Sequence, residues 1–272
     1  MTDAEFTGRH YSQSAFDFEA TRLSELCPVE FAITKRLLDR WIPKGATIAE
    51  IGVGVGHYSE HLAARGCRIH LVDVSQRLLD AALARLQAAE LAAQVAGVSL
   101  LSATDLSALP SSSCDAVLML GPLYHLRELA DRRHAVGEAV RVLKHGGLLY
   151  AAGINRLPYF RDLFRESPLQ ATARREFHKQ FLQDGKVDQE HAPPLGFGHL
   201  TTVSEFRELF AEFLDPIALL GVESFTAAWQ PELNALPPDE VEAWLDLVEQ
   251  TGVTPEGLGA SDHFLYVGRK VR

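Results

Sequence analysis

Glu50 stands just before three alternating glycines, Gly52, Gly54 and Gly56, in the stretch AEIGVGVGHY at residues 49–58. Glycines at this spacing let a backbone approach a ligand closely. His57 occupies the position of the last small residue of the dinucleotide fingerprint G-x-G-x-x-G/A, and no Gly-Lys-Ser/Thr follows for a phosphate loop. A carboxylate at Glu50 would repel a pyrophosphate. It suits a ligand that is cationic near the loop, carrying an amino group or a sulfonium. Two further acids close apolar runs: Asp73 ends IHLVD and Asp105 ends LLSATD. Asp73 is predicted to accept from both hydroxyls of a ribose, and Asp105 from an exocyclic adenine amine. Tyr124 and His125 follow the fourth apolar run, in GPLYHL, where a base or a substrate anchor could act.

These residues need a scaffold that gathers strand ends. From residue 29 the chain alternates helix-spaced and strand-like patterns. ATIAEI, CRIHLVD, VSLLSATD, CDAVLMLG and LLYAAGI read as five strands, with helices between them such as HYSEHLAARG and LADRRHAVGEAVRVLKHGG. Ser75 reads as an N-cap for the helix that follows the second strand. After residue 200 two more helices and the strands PIALLGVES and HFLYVGRK resume the rhythm. Strands alternating with helices predict a doubly wound α/β fold, a mostly parallel seven-stranded Rossmann-like sheet with helices on both faces. Ligands bind such sheets at the carboxyl ends of the strands, where the three acids are expected. Residues 154–200 interrupt the pattern with Pro-rich, basic and aromatic sequence, and are expected to form an ordered helical cap, a lid over the crevice.

The 272 residues are 47% hydrophobic, enough for one large core. A net charge of −10 argues against nucleic-acid and anionic-membrane partners. No apolar run approaches the ~20 residues of a membrane span, and the first residues carry no apolar segment of a signal peptide. Cys27, Cys67 and Cys114 form no CxxC pair and read as buried small hydrophobes in a reduced cytoplasm. His178, His191, His199 and His263 lack metal-ligand spacing, so no metal is expected.

With these motifs the chain resembles the class I S-adenosylmethionine-dependent methyltransferases, over about residues 45–153 on the core motifs. EIGVGVG is similar to that family's loop facing the methionine part of the cofactor. The resemblance assigns Asp73 and Val74 to the ribose end, Asp105 and the backbone of Leu106 to adenine, and Leu120 to the wall at the fourth strand. CPVEFAITKRLL, LGPLYHL and SDHFLYVGRK resemble a group of bacterial small-molecule-type enzymes with a cap after the fifth strand, in which Tyr11 would close over the methionine end. The implied cofactor is S-adenosyl-L-methionine, with S-adenosyl-L-homocysteine as product. The implied reaction is methyl transfer to an O or N atom of a small molecule by a cytoplasmic monomer or homodimer. Tyr124 and His125 are the catalytic candidates; His199, His263, Arg156 and Tyr159 are the substrate candidates. The expected division is an N-terminal helical segment of the lid (1–44), the cofactor-binding core (45–153), the cap (154–200) and the rest of the sheet (201–272). A regulatory or scaffold protein that binds the cofactor without transfer, and an NAD-dependent dehydrogenase disfavoured by His57, are the other readings.

Overall fold

Short apolar runs whose successive side chains face opposite ways build the centre of the molecule. The computed structural model describes residues 2–192 and 195–271. The strands are β1 (Thr47–Ile51), β2 (Arg68–Asp73), β3 (Val95–Leu100), β4 (Cys114–Met119), β5 (Leu143–Ile154), the short pair β6 (Lys186–Val187) and β7 (Gly198–His199), then β8 (Asp215–Gly221) and β9 (His263–Arg269). Seven of them form one sheet in the order β3-β2-β1-β4-β5-β9-β8. β1 to β5 pair in parallel. β9 runs antiparallel between β5 and β8. Strand order reverses between β1 and β4, and this opens a crevice beyond their carboxyl ends.

The helices are α1 (Asp3–Ser12), α2 (Phe16–Thr21), α3 (Pro28–Trp41), α4 (His57–Ala64), α5 (Gln76–Ala88), α6 (Leu129–Val142), α7 (Pro158–Glu166), α8 (Gln170–Ala173), α9 (Arg175–Asp184), α10 (Val203–Phe210), α11 (Pro238–Gly252) and α12 (Pro255–Ala260). Among the described residues no helix is long and apolar enough to cross a membrane. Period-two alternation assigns each strand residue to one of two cores. Ile48, Ala116, Leu118, Leu265 and Val267 face the layer built by α3, α4, α5 and α11. Ala49, Ile51, Val117, Met119, Phe264 and Tyr266 face α6 and α10. A third, smaller cluster lies inside the 154–200 segment, where Tyr159, Phe160 and Phe177 pack around Phe181, Val187 and Leu200.

β3 and α6 both end earlier than the sequence reading has them. β3 stops at Leu100, because the chain turns there: the Leu101 N–H donates to the Asp73 carbonyl (3.0 Å) and Ser102 Oγ accepts from the Thr104 N–H (3.2 Å). Asp105 therefore lies in a loop and does not end a strand. α6 ends at Val142, because Leu143 takes extended backbone angles and pairs with Cys114, so β5 begins earlier than its apolar run suggests.

Candidate active site

Gly52, Gly54 and Gly56 have φ of 76°, 56° and 83°, the left-handed region that favours glycine. Space forbids side chains there as well. A Cβ on Gly52 would lie 2.9 Å from the Pro122 ring, and one on Gly54 2.7 Å from Glu19 Oε1. Gly56, not residue 57, is the point of close packing, 3.0 Å from the Ala82 methyl for an added Cβ, and this frees His57 to open α4.

Asp73 is 5% exposed at the tip of β2. It accepts from the Gly54 N–H (3.1 Å) and the Ser75 N–H (2.9 Å), which fixes its carboxylate against the loop. Burial pushes its pKa up to about 6. Asp73, Val74, Leu78, Leu101, Ser102 and Ala103 line one wall of a cleft with about 650 Å³ between its walls. Gly52, Gly54, Gly121, Pro122, Tyr124 and His125 contribute the floor and the opposite wall.

The cover of the cleft is the N-terminal segment, with Asp3, Ala4, Thr7, Tyr11 and Glu19 lining it; no residue of 154–200 does so among the described residues. Both flanks of this strap are pinned. Asp3 accepts from the Arg127 backbone N–H (3.0 Å) and from its guanidinium (2.8 Å). Ser12 Oγ meets Ser75 Oγ at 2.8 Å, and Arg77 Nη1 donates to the Ser12 carbonyl (2.9 Å). Gly8 permits the contact between them, since a Cβ there would come within 2.5 Å of the Val74 carbonyl oxygen. The 154–200 segment reaches this region mainly through Phe197, whose ring stacks on Phe6 at 4.0 Å.

His125 is buried on the turn Pro122–His125. Its Nδ1–H donates to the Phe197 carbonyl (3.2 Å), which leaves the Nε2 lone pair facing the Tyr11 hydroxyl at 3.2 Å. Burial lowers its pKa to about 4, so the imidazole is neutral. Tyr11 donates to it, and burial raises the phenol far above its ordinary value.

Glu50 shares the strand face of Ile48 and so points toward α4, away from the mouth of the cleft. It is 2% exposed and accepts from Ser59 Oγ. Burial, with a smaller contribution from Asp73, pushes its carboxyl up to about 8. Glu50 lines a smaller cavity behind the glycine loop, together with Glu19, Arg22, Tyr58, Leu120 and Tyr124.

Five of the expected site residues, Asp105, Leu106, Arg156, Tyr159 and His199, do not line the cleft. Asp105 is exposed and accepts from the Ser107 N–H (3.0 Å), closing a local turn. The Leu106 N–H donates to Glu138 (3.0 Å) and its side chain is in the core, so Ser102 and Ala103 take the wall position expected of these two. Arg156 is 3% exposed and spent on the Leu200 and Leu182 carbonyls and on Glu205. Tyr159 packs inside the 154–200 segment against Phe181 at 4.7 Å. His199 lines a separate cavity, on the far side of the Pro122–His125 turn.

His263 lies in a buried charge network. Its Nδ1–H donates to Glu223 (2.6 Å), and Glu30 is 3.6 Å away. Burial opposes its protonation, but Glu30 and Glu223 outweigh it and raise the pKa to about 9, so His263 is an imidazolium. Arg22 binds Glu30 (2.6 Å) and approaches Glu19 (3.6 Å). The ligand atoms of Glu30, Glu223 and His263 lie within 4.8 Å of one another. The His263 proton and the Arg22 guanidinium supply the positive charge between them. Sequence reasoning missed Glu19, Arg22, Glu30 and Glu223. The one signal was Glu30, a carboxylate at helical spacing from Ile33, Thr34 and Leu37 on the buried face of α3.

The sheet order, the left-handed glycine cradle and the buried acid at the second strand give the chain the class I S-adenosylmethionine-dependent methyltransferase fold. Residues 49–151 match the family described as methyltransferase domain. The ubiquinone biosynthesis O-methyltransferase of Xanthomonas oryzae pv. oryzae (strain PXO99A) is 32% identical over 136 residues, 50% of this chain and 53% of that protein. The chain thus spans about half the length of the curated relatives it matches. An S-adenosyl-L-methionine-dependent Diels-Alderase of Talaromyces variabilis is 31% identical over 117 residues, 43% of this chain and 39% of that protein. In fold, the chain is similar to Burkholderia thailandensis 1,6-didemethyltoxoflavin-N1-methyltransferase, solved with 1,6-didemethyltoxoflavin and S-adenosylhomocysteine. The TM-score is 0.62 at 14% identity, covering 100% of this chain and 92% of the other.

Proposed function

We propose that this protein is an S-adenosylmethionine-dependent methyltransferase that methylates an O or N atom of a small molecule. One observation carries the reading: a neutral His125, with its Nε2 lone pair aimed at a hydroxyl, lines the same cleft as the glycine cradle and Asp73. The cradle fits the cofactor, because a Cβ at Gly52 or Gly54 would fill the space close to the backbone, and Asp73 has oxygen lone pairs beyond its two backbone bonds.

Asp73 and Val74 would hold the ribose, and the Leu101–Ala103 wall the adenine. Bound there, S-adenosylmethionine supplies a methyl carbon activated by its sulfonium. The protein's part is approach geometry and exclusion of water, which the N-terminal strap provides by covering the cleft. An acceptor hydroxyl or ammonium that takes the place of the Tyr11 hydroxyl would pass its proton to His125 Nε2, and the Phe197 carbonyl would hold the resulting imidazolium. Tyr124 and the Arg22–Glu19 pair stand where the far part of the acceptor would lie. The net charge of −10 supports a small-molecule acceptor rather than nucleic acid.

Binding without transfer is the second reading. It draws on the likeness to a protein named for a cycloaddition rather than a methyl transfer. The test is acceptor-dependent release of S-adenosylhomocysteine across a panel of phenols and amines, with calorimetry of S-adenosylhomocysteine in parallel. Turnover supports methyl transfer, and tight binding without turnover supports the second reading. Asp73→Ala should weaken S-adenosylhomocysteine by about tenfold or more, since a charge-assisted hydrogen bond is worth roughly 1.5–3 kcal/mol. Unchanged affinity in the folded variant would remove Asp73 from the site.

A further inference from the structure

Behind the Pro122–His125 turn lies a second cavity, with about 980 Å³ between its walls, bounded by α6, α10, β7 and the turn itself. Tyr124 is common to its wall and to that of the cleft. Arg132, His199 and Thr201 are its buried polar residues, 8%, 7% and 5% exposed.

Arg132 has no carboxylate within ion-pair distance among the described residues. Its Nη1 donates to the Leu126 (2.7 Å) and Arg127 (2.9 Å) carbonyls, which leaves the charge itself without a counterion. Burying such a charge is costly, and burial lowers the guanidinium's pKa although Glu205, Glu128 and Asp131 act from a distance in the opposite sense. His199 makes no side-chain hydrogen bond among the described residues. Burial and the nearby Arg132 hold its pKa at about 4, so it is neutral, with one N–H to donate and one lone pair.

The acids on the same walls are engaged elsewhere or exposed. Glu205 is taken by Arg156 (2.5 Å) and the Thr202 N–H (3.0 Å), Glu128 by Lys186 (2.6 Å), and Asp184 by Gln180 (2.8 Å) and the Lys186 N–H (3.0 Å). Glu208 is exposed, as is the cationic Arg133 opposite it in charge. Arg127 is neutralised by Asp3. Among the described residues on these walls, the one buried charge without an ion-pair partner is therefore positive, that of Arg132.

We propose that this second cavity binds a small oxyanion, a carboxylate or a phosphate, between the Arg132 guanidinium and the His199 ring. The bound group supplies the counterion that Arg132 lacks and accepts the His199 N–H. The site is separate from the crevice but touches it. Arg132 holds the two carbonyls that close the turn bearing Tyr124 and His125, so the occupant bears on the position of that turn.

The test follows the ring signals of His199 by NMR in the full chain saturated with S-adenosylhomocysteine, while benzoate and inorganic phosphate are titrated in separate arms. His199→Asn, lacking the signal, assigns it. The expected result is a saturable shift of the His199 ring with one of the two anions, which identifies carboxylate or phosphate as the class. Arg132→Gln should weaken that binding by about tenfold or more, and Arg132→Lys by less, because the lost contact is charge-assisted. No saturable shift with either anion in the wild-type protein overturns the proposal, whatever the stability of the variants. An equal shift in folded Arg132→Gln overturns it too.

Discussion

Glu50 shows how one residue's surroundings decide its chemistry. At the strand end it could have faced a cationic ligand directly. The pleat instead turns it toward α4, where Ser59 donates to it and no cation among the described residues pairs with it. Its carboxyl, raised by burial from 4.5 to about 8, keeps a proton in the folded chain that the unfolded chain releases. Folding stability therefore falls as pH rises from about 4.5 to about 8, by roughly 3–5 kcal/mol from this group alone. Glu50→Gln should remove that slope, and urea melts at the two ends of the window would show it. A slope unchanged in the variant would assign it to other groups, with Asp73 contributing in the same direction. The ligand side is tested separately. If an ammonium is felt through the loop, Glu50→Gln weakens S-adenosylhomocysteine by roughly 1–3 kcal/mol and spares methylthioadenosine, which has no amino group. Equal losses for both would make Glu50 only a brace between β1 and α4.

At the scale of elements, the N-terminal strap does what the sequence assigned chiefly to residues 154–200. α1 lies over the cleft because Gly8 allows it within contact of Val74, and because Asp3 and Ser12 tie its two ends to Arg127 and Ser75. Residues 154–200 have their own aromatic core and support the strap from outside through Phe197. Hydrogen exchange should therefore slow in α1 and α2 when S-adenosylhomocysteine binds, and change much less in α7 to α9. Protection confined to α7–α9 would restore the lid to the cap. Gly8→Ala should lift α1 by overpacking, a cost of roughly 1–3 kcal/mol. It should speed exchange in α1 while leaving that of the sheet unchanged.

For the molecule as a whole, stability and binding separate along the sheet. Phe210 is fully buried and stacks on Tyr266 at 4.1 Å, under the β9 end of the sheet. The cleft lies at the β1–β4 end. Phe210→Ala should lower stability by about 3–5 kcal/mol through cavity formation. The affinity for S-adenosylhomocysteine in the remaining folded protein should stay within error. A large loss of affinity would mean that the two ends of the sheet are coupled.

The sequence by itself determined the elements whose signals are local. Alternating apolar runs and helix-spaced faces named the strands and most helices to within a few residues. Three glycines needing left-handed backbone marked the cradle, and a short polar acid at the end of IHLVD marked Asp73. Failures came where a role depends on which way a side chain turns or what competes for it. Arg156 is a surface-type residue in sequence, but in the fold three acceptors from distant segments consume it. Asp105 sits five residues past the end of β3, because a backbone bond to Asp73 turned the chain early. The Glu19–Arg22–Glu30–His263–Glu223 network joins α2, the turn after it, α3, β9 and the end of β8, and no spacing along the chain encodes it. The pairing of His125 with Tyr11 spans 114 residues, and the neutral state of that imidazole depends on burial. Desolvation and partner choice are properties of the packed chain, so only the tertiary structure decides them.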